Sequence, residues 1–224
     1  MKRNAAVIIL AVSAVFAESR FADKTSQLGL KLSKGAVSCV DYNRDGWADL
    51  YCNGTLWKNN QGKGFEKVFQ SRGRAVFSDF NNDGFPDMFV YNKQRLLINQ
   101  GGQAFKETEF PDLPIGSSLS ACCADFNSDG FTDIYIAGYE NRKKGLTYPD
   151  ALILNRKDKG WEKVWQVKKY RARGAAACDF DRDSDADVYV SNYRLQPNLL
   201  WVNNGSGEFE NKAELYNAQA GSGE

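Results

Sequence analysis

The chain has 224 residues, of which 42% are hydrophobic, enough for one sizeable core, and its 29 basic and 28 acidic residues leave a net charge of +1. It contains no histidine, which excludes Ser-His-Asp and Cys-His nucleophile arrangements and His-based metal centres. Near-neutral charge argues against a nucleic-acid partner, and 13% aromatics with 20 Gly against 5 Pro favour short strands and tight turns, an all-β chain.

At the N-terminus, Lys2 and Arg3 precede an apolar run from Ala5 to Phe16 that ends at Ala17, with Val15 two positions before it. This pattern describes a secretory signal peptide over residues 1–17, with an uncleaved anchor as the alternative. The run is shorter than the ~20 residues a membrane span needs. No second apolar run follows, so the mature chain, 18–224, is expected to lack a membrane span and to be extracellular, or periplasmic in a bacterium. Residues 21–30 open with an aromatic and are expected to form a ring-closing strand or a linker.

Four segments then repeat. They are Asp41-Tyr-Asn43-Arg-Asp45-Gly46-Trp47-Ala-Asp49, Asp79-Phe-Asn81-Asn-Asp83-Gly84-Phe85-Pro-Asp87, Asp125-Phe-Asn127-Ser-Asp129-Gly130-Phe131-Thr-Asp133 and Asp179-Phe-Asp181-Arg-Asp183-Ser184-Asp185-Ala-Asp187. Their starts lie 38, 46 and 54 residues apart, the spacing of stacked supersecondary units. Small or β-branched residues precede each loop and an apolar strand follows it. A third strand ends at Asn59, Asn99, Asn155 or Asn203, and a fourth begins with Phe65, Phe105, Trp161 or Phe209. That order predicts four-stranded antiparallel blades over about 35–70, 74–110, 119–167 and 174–215. One blade cannot bury both faces, so the blades must stack as a β-propeller. The four are expected to be part of a larger ring, completed by further C-terminal blades or by a partner chain. The Gly221–Glu224 tail falls where a next inner strand would start.

Five cysteines, Cys39, Cys52, Cys122, Cys123 and Cys178, raise the question of disulfides in an exported chain. Cys39 and Cys52 flank one loop and could face each other across a hairpin. The alternative is small buried residues on crowded inner strands.

The loops have the chemistry of a hard-cation site. Ca²⁺ takes about six to eight oxygen ligands. Each loop offers side-chain oxygens at positions 1, 3, 5 and 9, with a carbonyl near position 7. The candidate ligands are therefore Asp41, Asn43, Asp45, Trp47 and Asp49; Asp79, Asn81, Asp83, Phe85 and Asp87; Asp125, Asn127, Asp129, Phe131 and Asp133; and Asp179, Asp181, Asp183, Asp185 and Asp187. About four structural Ca²⁺ ions are expected. Position 12 holds Cys52, Val90, Ile136 and Val190 instead of the bidentate Glu of an EF-hand, so the loop belongs to a β-hairpin. In the fourth copy Ser184 stands where the others have glycine, which would strain the turn.

This loop pattern resembles the FG-GAP/VCBS repeat family, which includes the integrin α-subunit propeller. The Phe-x-Asp-x-Thr-x-x-x-Gly-Leu opening at Phe21 is more similar to cartilage acidic protein-like secreted proteins and their bacterial relatives. The resemblance implies an integrin-like propeller, structural calcium and a role in adhesion or extracellular binding.

The expected function is a non-catalytic recognition, adhesion or scaffold module whose partner is an extracellular protein or glycan. A lectin, with sugars stacked on Trp57, Trp161, Trp165 or Trp201, is the first alternative. The accessory domain of a secreted enzyme is the second, although no nucleophile motif or phosphate loop is present. Half of the 28 acidic residues lie in the four loops, so cation binding there would leave a basic surface. Its local clusters are Arg142-Lys143-Lys144 and Lys168 to Arg173, suited to an acidic glycan or protein.

Overall fold

A computed structural model describes residues 22–32, 35–167 and 170–219. The expected leader, Phe21, Lys168, Lys169 and the Gly221–Glu224 tail lie outside them. The described chain is all-β, a propeller built from four four-stranded antiparallel sheets. No helix among the described residues is long and apolar enough to cross a membrane.

The first sheet comprises β1 (Val37–Val40), β2 (Asp49–Cys52), β3 (Thr55–Asn59) and β4 (Phe65–Gln70). The second comprises β5 (Val76–Ser78), β6 (Asp87–Val90), β7 (Arg95–Asn99) and β8 (Phe105–Thr108). In the third, β9 (Ser118–Ala124) and β10 (Asp133–Gly138) are followed by a two-stranded ribbon, β11 (Glu140–Asn141) and β12 (Leu146–Thr147), and then by β13 (Asp150–Asn155) and β14 (Trp161–Val167). The fourth comprises β15 (Ala172–Cys178), β16 (Asp187–Asn192), β17 (Leu199–Asn203) and β18 (Phe209–Asn211).

Strand character follows position in the blade. The middle strands β6, β10 and β13 are buried on both faces, as sheet-on-sheet stacking requires. The outer strands β4 and β8 are mostly exposed. The first strands β9 and β15 are rich in small residues, and neighbouring blades approach closely along the first strands. Ser38 Oγ donates to Ala75 O at 2.9 Å, and Ala175 N donates to Ser120 Oγ at 3.0 Å.

Three apolar cores lie between successive blades. Tyr51, Leu56, Met88 and Val90 fill the first, Phe89, Ile134, Ile136 and Ile153 the second, and Phe126, Tyr135, Leu152 and Val188 the third. Each large side chain fully buried there stabilises the stack by roughly 1.5–3 kcal/mol. A smaller cluster forms where the turn after β18 places Ala213 and Ala218 against Leu200, Val202 and Tyr189.

A polar contact repeats across each blade junction. Asn99 Nδ2 donates to Tyr42 O at 2.8 Å, Asn155 Nδ2 to Phe80 O at 2.7 Å, and Asn203 Nδ2 to Phe126 O at 2.8 Å. The asparagine that ends the third strand of one blade thus reaches the second loop residue of the blade before it. Asn59 Nδ2, in the first blade, instead donates to Ala48 O of its own loop at 3.0 Å.

Two expectations change. Residues 25–29 form a turn instead of a strand: Leu28 N donates to Lys24 O and Leu30 N to Thr25 O, so these amides are spent locally. The turn docks through Leu28 O, which accepts from Phe65 N at the start of β4. Cys39 and Cys52 do not face each other, because the register pairs Cys39 with Leu50 and Val37 with Cys52. Cys39 and Cys178 are exposed, Cys52 and Cys122 buried and Cys123 half-buried. Burial pushes Cys122 up to about 12 and raises Cys123 well above the usual thiol range, which keeps both protonated and unreactive.

Candidate metal loops and their setting

Each repeated loop joins the first strand of a blade to the second, so all four lie at the same end of the sheets. The first three share one hydrogen-bond plan. Asp41 accepts from Asp45 N at 3.1 Å and from Gly46 N at 2.9 Å. Asp79 and Asp125 accept from the corresponding amides of their loops. Asn43, Asn81 and Asn127 accept from the position-5 amide and donate to the position-5 carboxylate. Asp45, Asp83 and Asp129 in turn accept from the position-7 amides of Trp47, Phe85 and Phe131. The oxygens at positions 1, 3 and 5 therefore curl inward around one turn.

That turn needs left-handed backbone twice. Position 4 takes it in Arg44, Asn82, Ser128 and Arg182, and position 6 in Gly46, Gly84, Gly130 and Ser184. A Cβ on Gly46 or Gly130 would meet nothing within 4 Å, so backbone conformation, not space, selects glycine there.

Position 9 is the buried member of each set: Asp49, Asp87, Asp133 and Asp187 are all at most 1% exposed. One carboxylate oxygen accepts from the second loop amide, of Tyr42, Phe80, Phe126 or Phe180, at 2.8–3.2 Å. The other accepts from the amide of the third-strand asparagine, Asn59, Asn99, Asn155 or Asn203, at 2.7–2.9 Å. Burial pushes Asp133 up to about 7 and Asp87 to about 6, and the other carboxylates of each loop add to the effect. Asp49 is raised for the same reasons.

The fourth loop departs from this plan. Asp179 accepts from Arg182 N at 2.7 Å and Ser184 N at 3.2 Å, and Asp183 accepts from Asp185 N at 3.0 Å. Asp181 replaces asparagine, and oxygens of Asp179, Asp181 and Asp187 lie within 4.8 Å of one another. Desolvation, then Asp183 and Asp187, raise the Asp181 carboxyl. The Asp185 side chain lies against Gly205.

Among the described residues only the fourth loop brings three carboxylates within 4.8 Å of one another, those of Asp179, Asp181 and Asp187, while Asp185 lies apart against Gly205. In the first three loops the predicted residues share the hydrogen-bonded turn, and the loops touch across blades. Arg44 lies over the Phe85 ring at 5.5 Å, and Asn82 Nδ2 donates to Gly130 O at 2.9 Å. The third-strand asparagines were missed as site residues, although their recurrence in all four repeats was the signal that could have found them.

The model of the FG-GAP-like repeat matches residues 79–136 and 125–190, together half of the chain. The chain belongs to the FG-GAP-like repeat family. Among solved structures, this FG-GAP-like propeller is similar to an Agrocybe aegerita lectin described as recognising non-reducing terminal N-acetylglucosamine. Identity is 18% and the TM-score 0.54, over 81% of this chain and 52% of the lectin, so the chain spans about half the lectin's length. The Vibrio cholerae biofilm matrix protein Bap1 aligns at 15% identity and a TM-score of 0.45, over 78% of this chain and 27% of Bap1, too distant to carry an argument. No curated protein sequence matches significantly.

Ser184 has φ 77°, a conformation that costs an L-residue about 1–2 kcal/mol. Glycine removes that strain and returns part of it as unfolded-chain entropy. Ser184→Gly is therefore expected to raise unfolding free energy by about 0.5–1 kcal/mol in urea titrations. An unchanged or lower value would contradict the assignment of strain to this loop.

Proposed function

We propose that the protein is a secreted, calcium-stabilised recognition or adhesion module without catalytic activity. The observation that carries this reading is the fourfold recurrence of an oxygen-lined loop held by left-handed residues at positions 4 and 6. Its donors are carboxylate, amide and carbonyl oxygens, the set a hard cation prefers. Asp41, Asn43, Asp45, the Trp47 carbonyl and Asp49 would hold the ion in the first loop, and the equivalent residues in the others. Burial is the main cause that raises Asp87 and Asp133, and a bound cation would neutralise the loop carboxylates that add to it. Such an ion would be structural, fixing the turn between the first two strands of each blade.

Export is supported by the leader-like pattern of residues 1–17, and the lack of catalysis by the absence of histidine and of nucleophile motifs. A closer kinship with cartilage acidic protein-like proteins rests on the Phe21 to Leu30 motif alone.

Calorimetric titration of residues 18–224 with Ca²⁺ is expected to give about four sites, and chelation is expected to lower the melting temperature substantially, because an ion bound to the native state stabilises it. No heat and no shift would overturn the calcium reading.

A second reading, a glycan-binding propeller, is favoured by one feature. A cavity of about 310 Å³ lies between the second and third blades, lined by Phe80, Asn81, Phe131, Asn155, Lys157 and Trp161 among others. Trp161 packs edge-on against Phe80 at 5.7 Å while still lining this space. By analogy with the lectin, N-acetylglucosamine-terminated oligosaccharides are the probe. Saturation-transfer NMR that shows binding to the parent and not to Trp161→Ala supports this reading, and no transfer to the parent removes it.

A further inference from the structure

The end of the propeller opposite the calcium-type loops is not repetitive. There the second strand of each blade passes to the third. In the first two blades the links are short, Asn53-Gly54 and Tyr91–Gln94. In the third, Tyr139–Pro149 forms the extra β11–β12 ribbon. The ribbon stands beside the Tyr193–Asn198 link of the fourth blade, and between them lies a cleft of about 420 Å³.

The cleft is positively charged and aromatic. Arg142, Lys143 and Arg173 line it together with Tyr139 and Tyr193, and Glu140 is its one acidic lining residue. The Glu140 side chain is only 7% exposed and is already engaged by Arg171 at 2.8 Å, Arg142 at 3.1 Å and Arg194 at 3.7 Å. One buried carboxylate therefore gathers three guanidinium groups, and Lys143 and Arg173 stand beside them with no ion pair among the described residues.

Arg173 is held for use. The register of β15 on β16 jumps from Ala172–Asn192 to Gly174–Ser191, so Arg173 is the extra residue of a bulge. Bulges re-aim side chains and are frequent beside binding sites. Its guanidinium lies 3.9 Å from the Tyr193 ring centroid and donates to Tyr139 Oη at 3.3 Å. A stacked guanidinium keeps its edge N–H groups for a planar or tetrahedral oxyanion. The ribbon is anchored at its base, where Asp150 accepts from Gly138 N at 2.7 Å and Tyr135 Oη at 2.8 Å.

We propose that this cleft between the third and fourth blades binds an acidic saccharide, through Arg173, Lys143 and Arg142 on its carboxylate or sulfate and the two tyrosines on its ring. The volume falls in the range of about 300–1,000 Å³ typical of small-ligand pockets, whereas a protein partner generally covers a broader surface of about 800 Å². The proposal deepens the recognition-module reading, but uses the opposite end of the blades from the calcium-type loops.

The test is calorimetry on the full mature chain with four probes: a galacturonic acid tetramer, a heparin-derived tetrasaccharide, neutral chitotetraose and a hexa-aspartate peptide. The expected result is binding of one or both acidic saccharides, weakened by salt, with at least tenfold loss in Arg173→Met and in Lys143→Gln. The tetramer alone assigns a carboxylate ligand, and the heparin fragment alone a sulfated one. The proposal is overturned by no binding of either, by hexa-aspartate binding as tightly, or by both variants retaining parent affinity. Circular dichroism checks that each variant folds, and the two variants are independent. Calcium titrated separately distinguishes the failures: saccharide binding without calcium sites sinks only the calcium reading, and calcium sites without saccharide binding sink only this one.

Discussion

The structure depends on a buried carboxylate at the ninth position of each loop. A desolvated carboxylate is costly unless its lone pairs are used, and here each oxygen accepts a backbone amide from a different part of the blade. Asp133, for example, ties Phe126 at the start of its loop to Asn155 at the end of the third strand. The same asparagine then crosses to Phe80 O in the neighbouring blade. Loop conformation, strand order within a blade and docking between blades are joined through a few atoms.

That arrangement explains why one end of the propeller is conservative across its own repeats while the other is free to differ. At the loop end, the position-9 aspartate holds the turn and the asparagine of the blade junction together, so losing it disturbs both. At the opposite end no such contact repeats from blade to blade among the described residues; the buried Asp150 anchors the link of the third blade alone. The third blade accommodates an eleven-residue excursion there, from Tyr139 to Pro149, without altering its four-strand pairing. The cleft it forms with the Tyr193 link collects charge that the rest of the fold does not use.

Much of the fold was legible because the repeat tests itself four times. The outer strands begin at Phe65, Phe105, Trp161 and Phe209, the aromatic positions that the alignment of repeats singled out. The loop residues were equally visible, since Asp and Asn at alternating positions with glycine at the sixth have few other uses together. Features carried by a single copy were harder. The 25–29 turn follows an aromatic-led pattern resembling the outer strands, but Leu28 N, Gly29 N and Leu30 N bond back to Lys24 O, Ser26 O and Thr25 O. Cys39 and Cys52 looked opposed by their spacing, yet a hairpin register decides pairing one residue at a time. Glu140, Arg171 and Arg194 are far apart in sequence, and only the stacking of the third blade on the fourth brings them together.

The most direct measurement of this account compares Asn155→Ala with Asn59→Ala by urea unfolding at saturating calcium. Asn155 Nδ2 donates to the neighbouring blade, whereas Asn59 Nδ2 donates to Ala48 O of its own loop. The account predicts a loss of about 2–3 kcal/mol for Asn155→Ala, because a buried carbonyl is left unsatisfied, and clearly less, about 1 kcal/mol, for Asn59→Ala. Equal losses at the two positions would contradict the claim that the loop aspartate and its asparagine hold the blades together.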